Sequence, residues 1–423
     1  MTSDAQAIDP TEASFAIQLA ITQGAYDEVI ARVRDFLTAD RVAAMADPVV
    51  AEWIAQRYRN IFLDEATASP DALAHAGRRF PMSFLDRRDD RERVAERFFR
   101  HINPEEIHRD MPRANADGFA DTTLLFAPGL ITGYMPTLAF QTVFPQMVER
   151  FGVKILSADS HPVRSSEANV ADLVNAMENG IGNAPDPEGT LLTAEDHPTP
   201  PGDVVLMGYS KGAPDISTFL VARPDLVPRV RAVVSWAGAH GGSPLANDMY
   251  HEVSAVPNSQ LADQLAEQLA GLANRFFPFP DVTRLDRRLD EYDVKGALYS
   301  LTTMRREEFN SEHTATLQSY GIPTIYFTGS TSAREVAYFN RSGEEELHKL
   351  DPYNDMQLTQ AEATPPTAHA VHPAMFHANH WDLSYDTWPW YKTMGSRELQ
   401  EPFTRYSAMS SILLLCSELG LMT

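Results

Sequence analysis

The chain has 423 residues and a formal net charge of −23 at pH 7, because 58 acidic side chains oppose 35 basic ones. Proteins that bind nucleic acid or anionic membranes need a basic surface for phosphate contacts, so this balance argues against both kinds of partner. With 43% hydrophobic residues the chain has ample material for a buried core. Its length is typical of about two domains.

Targeting and redox signals are few. Cys416 is the only cysteine, which excludes an intramolecular disulfide. The N-terminal stretch MTSDAQAIDPTEAS lacks the basic and apolar regions of a secretory signal. No apolar run approaches the length of a transmembrane helix. We therefore expect a cytoplasmic protein without a transmembrane segment.

The first part of the chain, residues 1–115, predicts a helical region. The segment DPVVAEWIAQRYRNIF starts with Asp47 as an N-cap and Pro48 at the first helical position. Its apolar residues recur at helical spacing, which predicts one buried face. The segment SPDALAHAGRRF repeats the capping signal at Ser69. We therefore expect an N-terminal helical region ahead of a separate domain.

From residue 116 to residue 423, short apolar runs alternate with helical or loop segments. The runs that predict strands are TTLLFAPG, VKILSAD, DVVLMG, RAVVSWAG and IPTIYFTG. Strands that alternate with helices indicate an α/β fold with a mostly parallel sheet and helices on both faces.

The strand signal disappears over about residues 243–320. There, NSQLADQLAEQLAGLANRFF places its leucines on one helical stripe. This pattern predicts a helical insertion over the sheet, whose stripe is either ordinary core or a lid that faces the substrate. Leu265 and Leu269 are the residues that a lid would direct into a substrate pocket.

The segment GYSKG, residues 208–212, matches the nucleophile-elbow pattern G-x-S-x-G. A strand pattern precedes it and APDISTFLVA follows as a helix, with Pro214 confined to the first turn. Small flanking residues let the chain turn sharply, which exposes the Ser210 hydroxyl above the sheet. The context therefore predicts that Ser210 is a nucleophile.

A nucleophilic serine needs a base to take its proton and an acid to orient that base. In this type of fold the acid and then the histidine follow the serine along the chain. FHANHWDLSYD offers His380 as the base, and PYNDMQLTQAEA offers Asp355 as the acid. Glu335, which follows IPTIYFTG, and Asp382, two residues after the histidine, are alternative acids. The 25 residues between Asp355 and His380 (380 − 355) leave room for a strand and a return loop.

These segments together resemble the bacterial lipase branch of the α/β-hydrolase superfamily. The resemblance covers about residues 120–390 and rests on APGLITG as the oxyanion segment, then GYSKG, YNDMQ and ANHWD. It implies an α/β-hydrolase fold and hydrolysis of carboxylic esters. The chain departs from the family at Pro128, where a histidine is usual, and at Met356, where the acid is normally followed by glycine. The second departure bears on the assignment of Asp355.

The oxyanion of a tetrahedral intermediate needs hydrogen-bond donors that are already in place, and backbone N–H groups supply them. By position these groups belong to Leu130, after the Pro-Gly of the first strand, and Lys211, after the nucleophile. His240, in AGAHGGSP, follows a predicted strand. It either lines the substrate pocket or stabilises its own loop.

Metal sites have two sets of candidates. Four histidines lie close together in the sequence, namely His369, His372, His377 and His380. Such a cluster can indicate a zinc site, but a proline interrupts it and no cysteine joins it. Lipase-branch enzymes often hold a structural calcium near the catalytic histidine, and the resemblance assigns that role to Asp382, with Glu335 and Asp386 as further oxygen ligands. We expect no metal, and the absence of a glycine-rich phosphate loop implies no nucleotide cofactor.

The leading expectation is a serine hydrolase that cleaves a small-molecule or polymeric carboxylic ester through an acyl-enzyme, with an intracellular ester or stored polyester as the substrate. A thioesterase or a peptidase would use the same residues. A non-catalytic protein that keeps this fold and docks a partner through its N-terminal helices is the alternative from another class.

Overall fold

The computed structural model describes residues 9–77, 86–115, 118–119, 121–130, 132, 137–257, 288, 291–337, 340–387 and 403–422. The N-terminal part of this range forms helices α1 (Pro10–Gln23), α2 (Tyr26–Ala39), α3 (Arg41–Ala46), α4 (Pro48–Thr67), α5 (Pro70–Gly77), α6 (Asp90–Phe98) and α7 (Pro104–Ile107).

The start of α4 agrees with its capping signal. The Asp47 side chain accepts hydrogen bonds from the backbone N–H groups of Val49 and Val50, at 2.8 and 3.1 Å. Pro48 occupies the first turn, where its missing N–H is not needed. The cap and the proline therefore fix the residue at which the longest of the described N-terminal helices begins.

The described strands form one sheet in the order β4-β3-β2-β1-β5-β6-β7-β8. They are β1 (Thr122–Ala127), β2 (Lys154–Ser157), β3 (Gly182–Asn183), β4 (Leu191–Leu192), β5 (Asp203–Tyr209), β6 (Val230–Trp236), β7 (Thr324–Ser330) and β8 (Ala370–His377). Strands β2, β1, β5, β6, β7 and β8 run parallel, whereas β3 and β4 pair antiparallel at one edge. The predicted mostly parallel sheet is confirmed.

Alternate residues of each central strand enter different cores, as the two-residue period of a strand requires. In β1, Leu124 and Phe126 join the core that lies under α1–α4, while Leu125 and Ala127 join the core on the opposite face. The opposite core is covered by α9 (Ser166–Asn179) and α10 (Gly212–Ala222). Helices therefore cover both faces of the sheet.

The remaining described helices are α8 (Val143–Phe151), α11 (Pro244–Ser254), α12 (Val294–Tyr299), α13 (Thr303–Ser319), α14 (Arg341–His348), α15 (Gln360–Ala363) and α16 (Arg405–Glu418). Helices α11, α12 and α13 lie within the predicted insertion. Leu265 and Leu269 lie outside the described residues.

Strand β8 was not predicted, because its sequence AVHPAMFH contains a proline and two histidines. It lies at the edge of the sheet, where a proline that cannot donate a ladder hydrogen bond is tolerated. The pairing of β8 with β7 shifts register between Ile325 and Phe327. His380 follows directly after this strand, so β8 brings the predicted base to the carboxyl edge of the sheet.

Helix α4 near the start of the chain and helix α16 near its end contribute to one core. The guanidinium of Arg57 on α4 donates two hydrogen bonds to the Glu418 carboxylate on α16, at 2.8 and 2.5 Å, and both side chains are buried.

Among the described helices none has the length and apolar character that crossing a membrane requires.

Candidate active site

Ser210 lies in the turn between β5 and α10, and its backbone has a φ of 53°. This left-handed conformation is unfavourable for a residue with a side chain, so the surroundings must hold it. The Ser210 N–H donates to the Trp236 carbonyl at 3.2 Å, and the Ser210 carbonyl accepts from Ala213 and Ala239. The turn predicted from GYSKG is therefore tight and strained.

The glycines on either side of Ser210 are required by close backbone contacts. A Cβ on Gly208 would lie 2.7 Å from backbone atoms of Ala213, and one on Gly212 would lie 2.0 Å from the Ala127 carbonyl oxygen. Both separations are far inside van der Waals contact. The spacing of the motif therefore reflects the packing of the α10 N-terminus against β5 and β1.

His380 and Asp355 form a buried pair. Nδ1 of His380 lies 2.7 Å from Oδ2 of Asp355, and both side chains are under 5% exposed. The second carboxylate oxygen of Asp355 accepts from the backbone N–H groups of Gln357 and Leu358, at 2.9 and 2.7 Å. An ionised carboxylate only accepts, so this contact suits the His380 tautomer that has its hydrogen on Nδ1 and a free lone pair on Nε2.

The imidazole ring lies beside the elbow. The rings of Tyr209 and His380 stack with centroids 5.1 Å apart, and the Tyr209 hydroxyl donates to the His380 carbonyl at 3.0 Å. Tyr209 directly precedes Ser210, so these contacts hold His380 against the residue next to the serine in the chain. Both residues are described, and no hydrogen bond joins the Ser210 hydroxyl to the ring; catalytic hydrogen bonds often tighten only when substrate binds.

The alternative acids contact other groups. Oε1 of Glu335 lies 3.0 Å from Nε2 of His377, and its Oε2 accepts from Ser332 at 3.0 Å. Oδ2 of Asp382 accepts from the Asn379 amide at 2.8 Å. Of the three predicted acids, the one that contacts His380 is Asp355.

Met356 occupies the position after Asp355 at which the resemblance led us to expect a glycine. Its φ is 75°, the left-handed conformation for which glycine is normally used. The Asn354 side chain accepts from the Met356 N–H at 2.9 Å, and the methionine side chain is buried. Burial of this side chain and the asparagine hydrogen bond offset a backbone strain of about 1–2 kcal/mol.

The two predicted oxyanion donors lie on the segments that meet at the elbow. A Cβ on Gly129 would lie 3.0 Å from the Ser210 Cβ, so the segment containing Leu130 passes directly over the serine. The backbone N–H groups of Leu130 and Lys211 make no hydrogen bond to any other described residue. Nζ of Lys211 is turned inward and pairs with buried Asp215 at 2.7 Å, which anchors its backbone.

His240 is buried, and its Nε2 lies 2.7 Å from the Ser235 hydroxyl. Burial, and secondarily the charge of Arg306, lower the pKa of His240 to about 3. The ring is thus neutral and does not line the cavity beside the elbow. These contacts match the alternative in which His240 stabilises its loop.

The predicted metal ligands fall in two places. Glu335 and Asp382 line one small cavity together with His377, whereas Asp386 pairs with Arg405 at 3.2 Å and accepts from Thr142 at 2.9 Å. Within the described ranges, three acidic or histidine ligand atoms lie within 4.8 Å of one another only at Asp89, Glu92 and His108, where the two carboxylates already cap α6.

Neither the protein-family models nor the curated proteins gave a match to this sequence. Among solved structures, a metagenomic carboxyl esterase superposes with a TM-score of 0.56 and 21% identity, over 84% of this chain and 90% of that one. A mature Bacillus licheniformis lipase gives a TM-score of 0.40 and 16% identity, over 64% and 89% of the two chains. The likeness to the first structure, together with the strand order, shows that the chain has the α/β-hydrolase fold.

Proposed function

We propose that this protein is a serine hydrolase that cleaves carboxylic esters through an acyl-enzyme, with Ser210 as nucleophile, His380 as base and Asp355 as orienting acid. The observation that carries the proposal is the buried His380–Asp355 pair, stacked on Tyr209 next to a serine with a φ of 53°. The carboxyl esterase of similar fold supports the same reaction class.

In the proposed reaction, the Ser210 oxygen attacks the ester carbonyl while Nε2 of His380 takes its proton. The carboxylate of Asp355 keeps the other ring proton on Nδ1 and stabilises the imidazolium that forms. The backbone N–H groups of Leu130 and Lys211 donate to the oxyanion. The imidazolium then protonates the leaving alkoxide, and the acyl group remains on the serine.

Deacylation repeats these steps with water. Nε2 of His380 takes a proton from the water, whose oxygen attacks the acyl carbon, and the same proton returns to Ser210 as the acid leaves. Because the carboxylate of Asp355 is already held by two backbone N–H groups, the pair needs no rearrangement between the two half-reactions.

The test is active-site labelling with a fluorophosphonate, followed by turnover of p-nitrophenyl esters. We expect one label per chain on the wild type, none on Ser210→Ala, and a loss of turnover of several orders of magnitude in that variant. Ser217→Ala, on α10 and seven residues after Ser210 (217 − 210), is a matched control that should label normally. An unlabelled wild type would indicate a binding protein, and turnover of thioesters or amides in preference to esters would change the substrate class.

A further inference from the structure

A cavity of about 240 Å³ lies beside the candidate active site. Pro128 and Thr132 of the oxyanion segment form its inner end, and the loop after β2 together with the β3–β4 hairpin forms its outer end. Pro128 is next to Gly129, which packs against the Ser210 side chain. The inner end of the cavity therefore lies one residue along the chain from the glycine that packs against the serine.

Three cavity residues form one row across the sheet. Phe126 of β1 is paired with Ser157 of β2, and Ser157 is paired with Asn183 of β3. Residues in register on neighbouring strands direct their side chains to the same face. With strands about 4.8 Å apart, the row runs outward from β1 so that its far end lies about 14 Å from the strand of Ser210.

The row changes from apolar to polar along its length. At the inner end, Phe126 packs with Phe140 and Phe144 at centroid distances of 5.6 and 5.2 Å, and all three rings are buried. At the outer end, the Ser157 hydroxyl and the Asn183 amide also line the cavity and make no hydrogen bond to any other described side chain or backbone.

A second serine lies at the polar end. Ser160 lines the cavity, is 8% exposed, and its hydroxyl has no hydrogen-bond partner among the described residues. A buried hydroxyl or amide that loses its water without gaining a partner costs about 1–3 kcal/mol. A purely apolar ligand would impose this cost on Ser157, Ser160 and Asn183, whereas a ligand that both donates and accepts would remove it.

The charges around the cavity disfavour an anionic ligand. Asp159, Asp186 and Glu188 line it, which disfavours a carboxylate or phosphate. Its one described cation, Arg288, already donates to Asp159, Asp172 and Glu291. An ammonium group would be attracted by these carboxylates, but it only donates hydrogen bonds and would leave the Asn183 amide N–H groups without an acceptor. A neutral group that both donates and accepts therefore suits the polar end best.

We propose that the cavity binds a neutral, hydroxyl-bearing end of the ester, with an apolar stretch between that end and the scissile bond. The proposal rests on the esterase function proposed above. The hydroxyl belongs either to the acyl part or to the alcohol part, and the shared chemistry is a group that donates and accepts hydrogen bonds at the far end of an apolar chain.

The experiment compares esters of equal length. Ethyl octanoate is set against its counterpart with a terminal hydroxyl for the acyl arm, and octyl acetate against its terminally hydroxylated counterpart for the alcohol arm. We expect the hydroxylated member of one pair to have a kcat/KM about tenfold higher, which is the net contribution of one hydrogen bond in the transition state. Esters that end in a carboxylate or a trimethylammonium group should be poorer than both.

Variants assign the preference to the cavity. Ser157→Ala and Asn183→Leu should bring the ratio of kcat/KM between the hydroxylated and plain esters close to one, because each removes a hydrogen-bonding group at the polar end. The ratio is taken within each variant, so a general change in turnover cancels. The exposed serine Ser319, replaced by alanine, is the matched control and should keep the ratio. A ratio near one in the wild type, a preference for a charged end, or a ratio unchanged in both variants would overturn the proposal. If the wild type does not hydrolyse p-nitrophenyl acetate at all, the esterase function itself would instead be overturned.

Discussion

The buried carboxylate of Asp355 is held from two directions. One oxygen faces Nδ1 of His380, and the other accepts from two backbone N–H groups of its own loop. The histidine backbone N–H also donates to the Asp355 carbonyl at 2.9 Å. The two residues are therefore positioned relative to each other by backbone as well as side-chain bonds, so a substitution can change the charge without moving the ring.

We predict that Asp355→Asn lowers ester turnover by about 10⁴, because an amide no longer keeps the proton on Nδ1 and Nε2 loses its role as base. Glu335→Gln is the control, since Glu335 contacts His377 instead, and it should stay close to wild type. Ester turnover of the two variants and the wild type is measured under conditions in which all three proteins remain folded. An Asp355→Asn enzyme with near-normal turnover would remove the aspartate from the mechanism.

At this scale the sequence predicts residue types well and their exact conformations poorly. The order serine, acid, histidine is met by Ser210, Asp355 and His380, but Glu335 satisfies it equally as the acid. The structure places Asp355 against His380 and Glu335 against His377. The same pattern does not foresee that Met356 adopts a φ of 75°, because a buried side chain and the Asn354 cap outweigh the intrinsic preference. Nor does it foresee Tyr209, whose ring lies against His380, since an aromatic residue in a strand is ordinary core.

Among the elements, the elbow depends on the close approach of α10 to β1. We predict that Gly212→Ala abolishes fluorophosphonate labelling, because the added Cβ would lie 2.0 Å from the Ala127 carbonyl oxygen and must push the helix away from the strand. Gly77→Ala, at the end of α5, meets no atom within 4 Å and is the control. It should label fully and gain up to about 1 kcal/mol in unfolding free energy. Normal labelling of Gly212→Ala would mean that the turn tolerates a side chain.

The sheet was predictable where a run of apolar residues is long enough to be buried on both faces. This holds for β1, β2, β5, β6 and β7, each of which matches a predicted run. It fails at β8, an edge strand whose pattern is interrupted by Pro373, and at the two-residue strands β3 and β4, which are too short to show a period. Strand β8 leads to His380, and β3 and β4 form one wall of the cavity. The strands that the sequence pattern did not predict are therefore the ones close to the candidate site.

Across the described part of the molecule, the N-terminal helices and the sheet share a hydrophobic core. Tyr58 of α4 packs against Phe327 of β7 with tilted rings whose centroids are 4.6 Å apart, and Phe62 contacts Phe376 of β8 at 5.6 Å. Sequence patterning shows that α4 has a buried face but not which surface covers it, because that depends on contacts more than 250 residues away along the chain. The partner of the helix is thus a property of the tertiary fold.

Several described histidines are neutral because they are buried, and this makes the stability of the protein depend on pH. Burial lowers the pKa of His240 to about 3 and of His372 to about 4, and burial together with Arg288 and Arg164 lowers that of His161 to about 4. The ordinary value in an unfolded chain is 6.5. Between pH 4 and pH 6.5 the unfolded state binds more protons than the folded state. The contribution of these histidines to the free energy of unfolding is therefore greatest above about pH 6.5 and decreases as the pH is lowered toward 4.

We predict that urea unfolding shows this loss between about pH 6.5 and 5, above the range in which most carboxylates titrate. Replacing His240 with glutamine removes its titration from both states, so the stability of that variant should change less with pH, by up to about 1.4 kcal/mol per pH unit, even if its stability at pH 7 is lower. His251→Gln, at an exposed position on α11, is the control and should keep the wild-type slope. If His240→Gln and the wild type have parallel pH profiles, the ring of His240 takes up its proton equally in both states, and acid sensitivity must originate elsewhere.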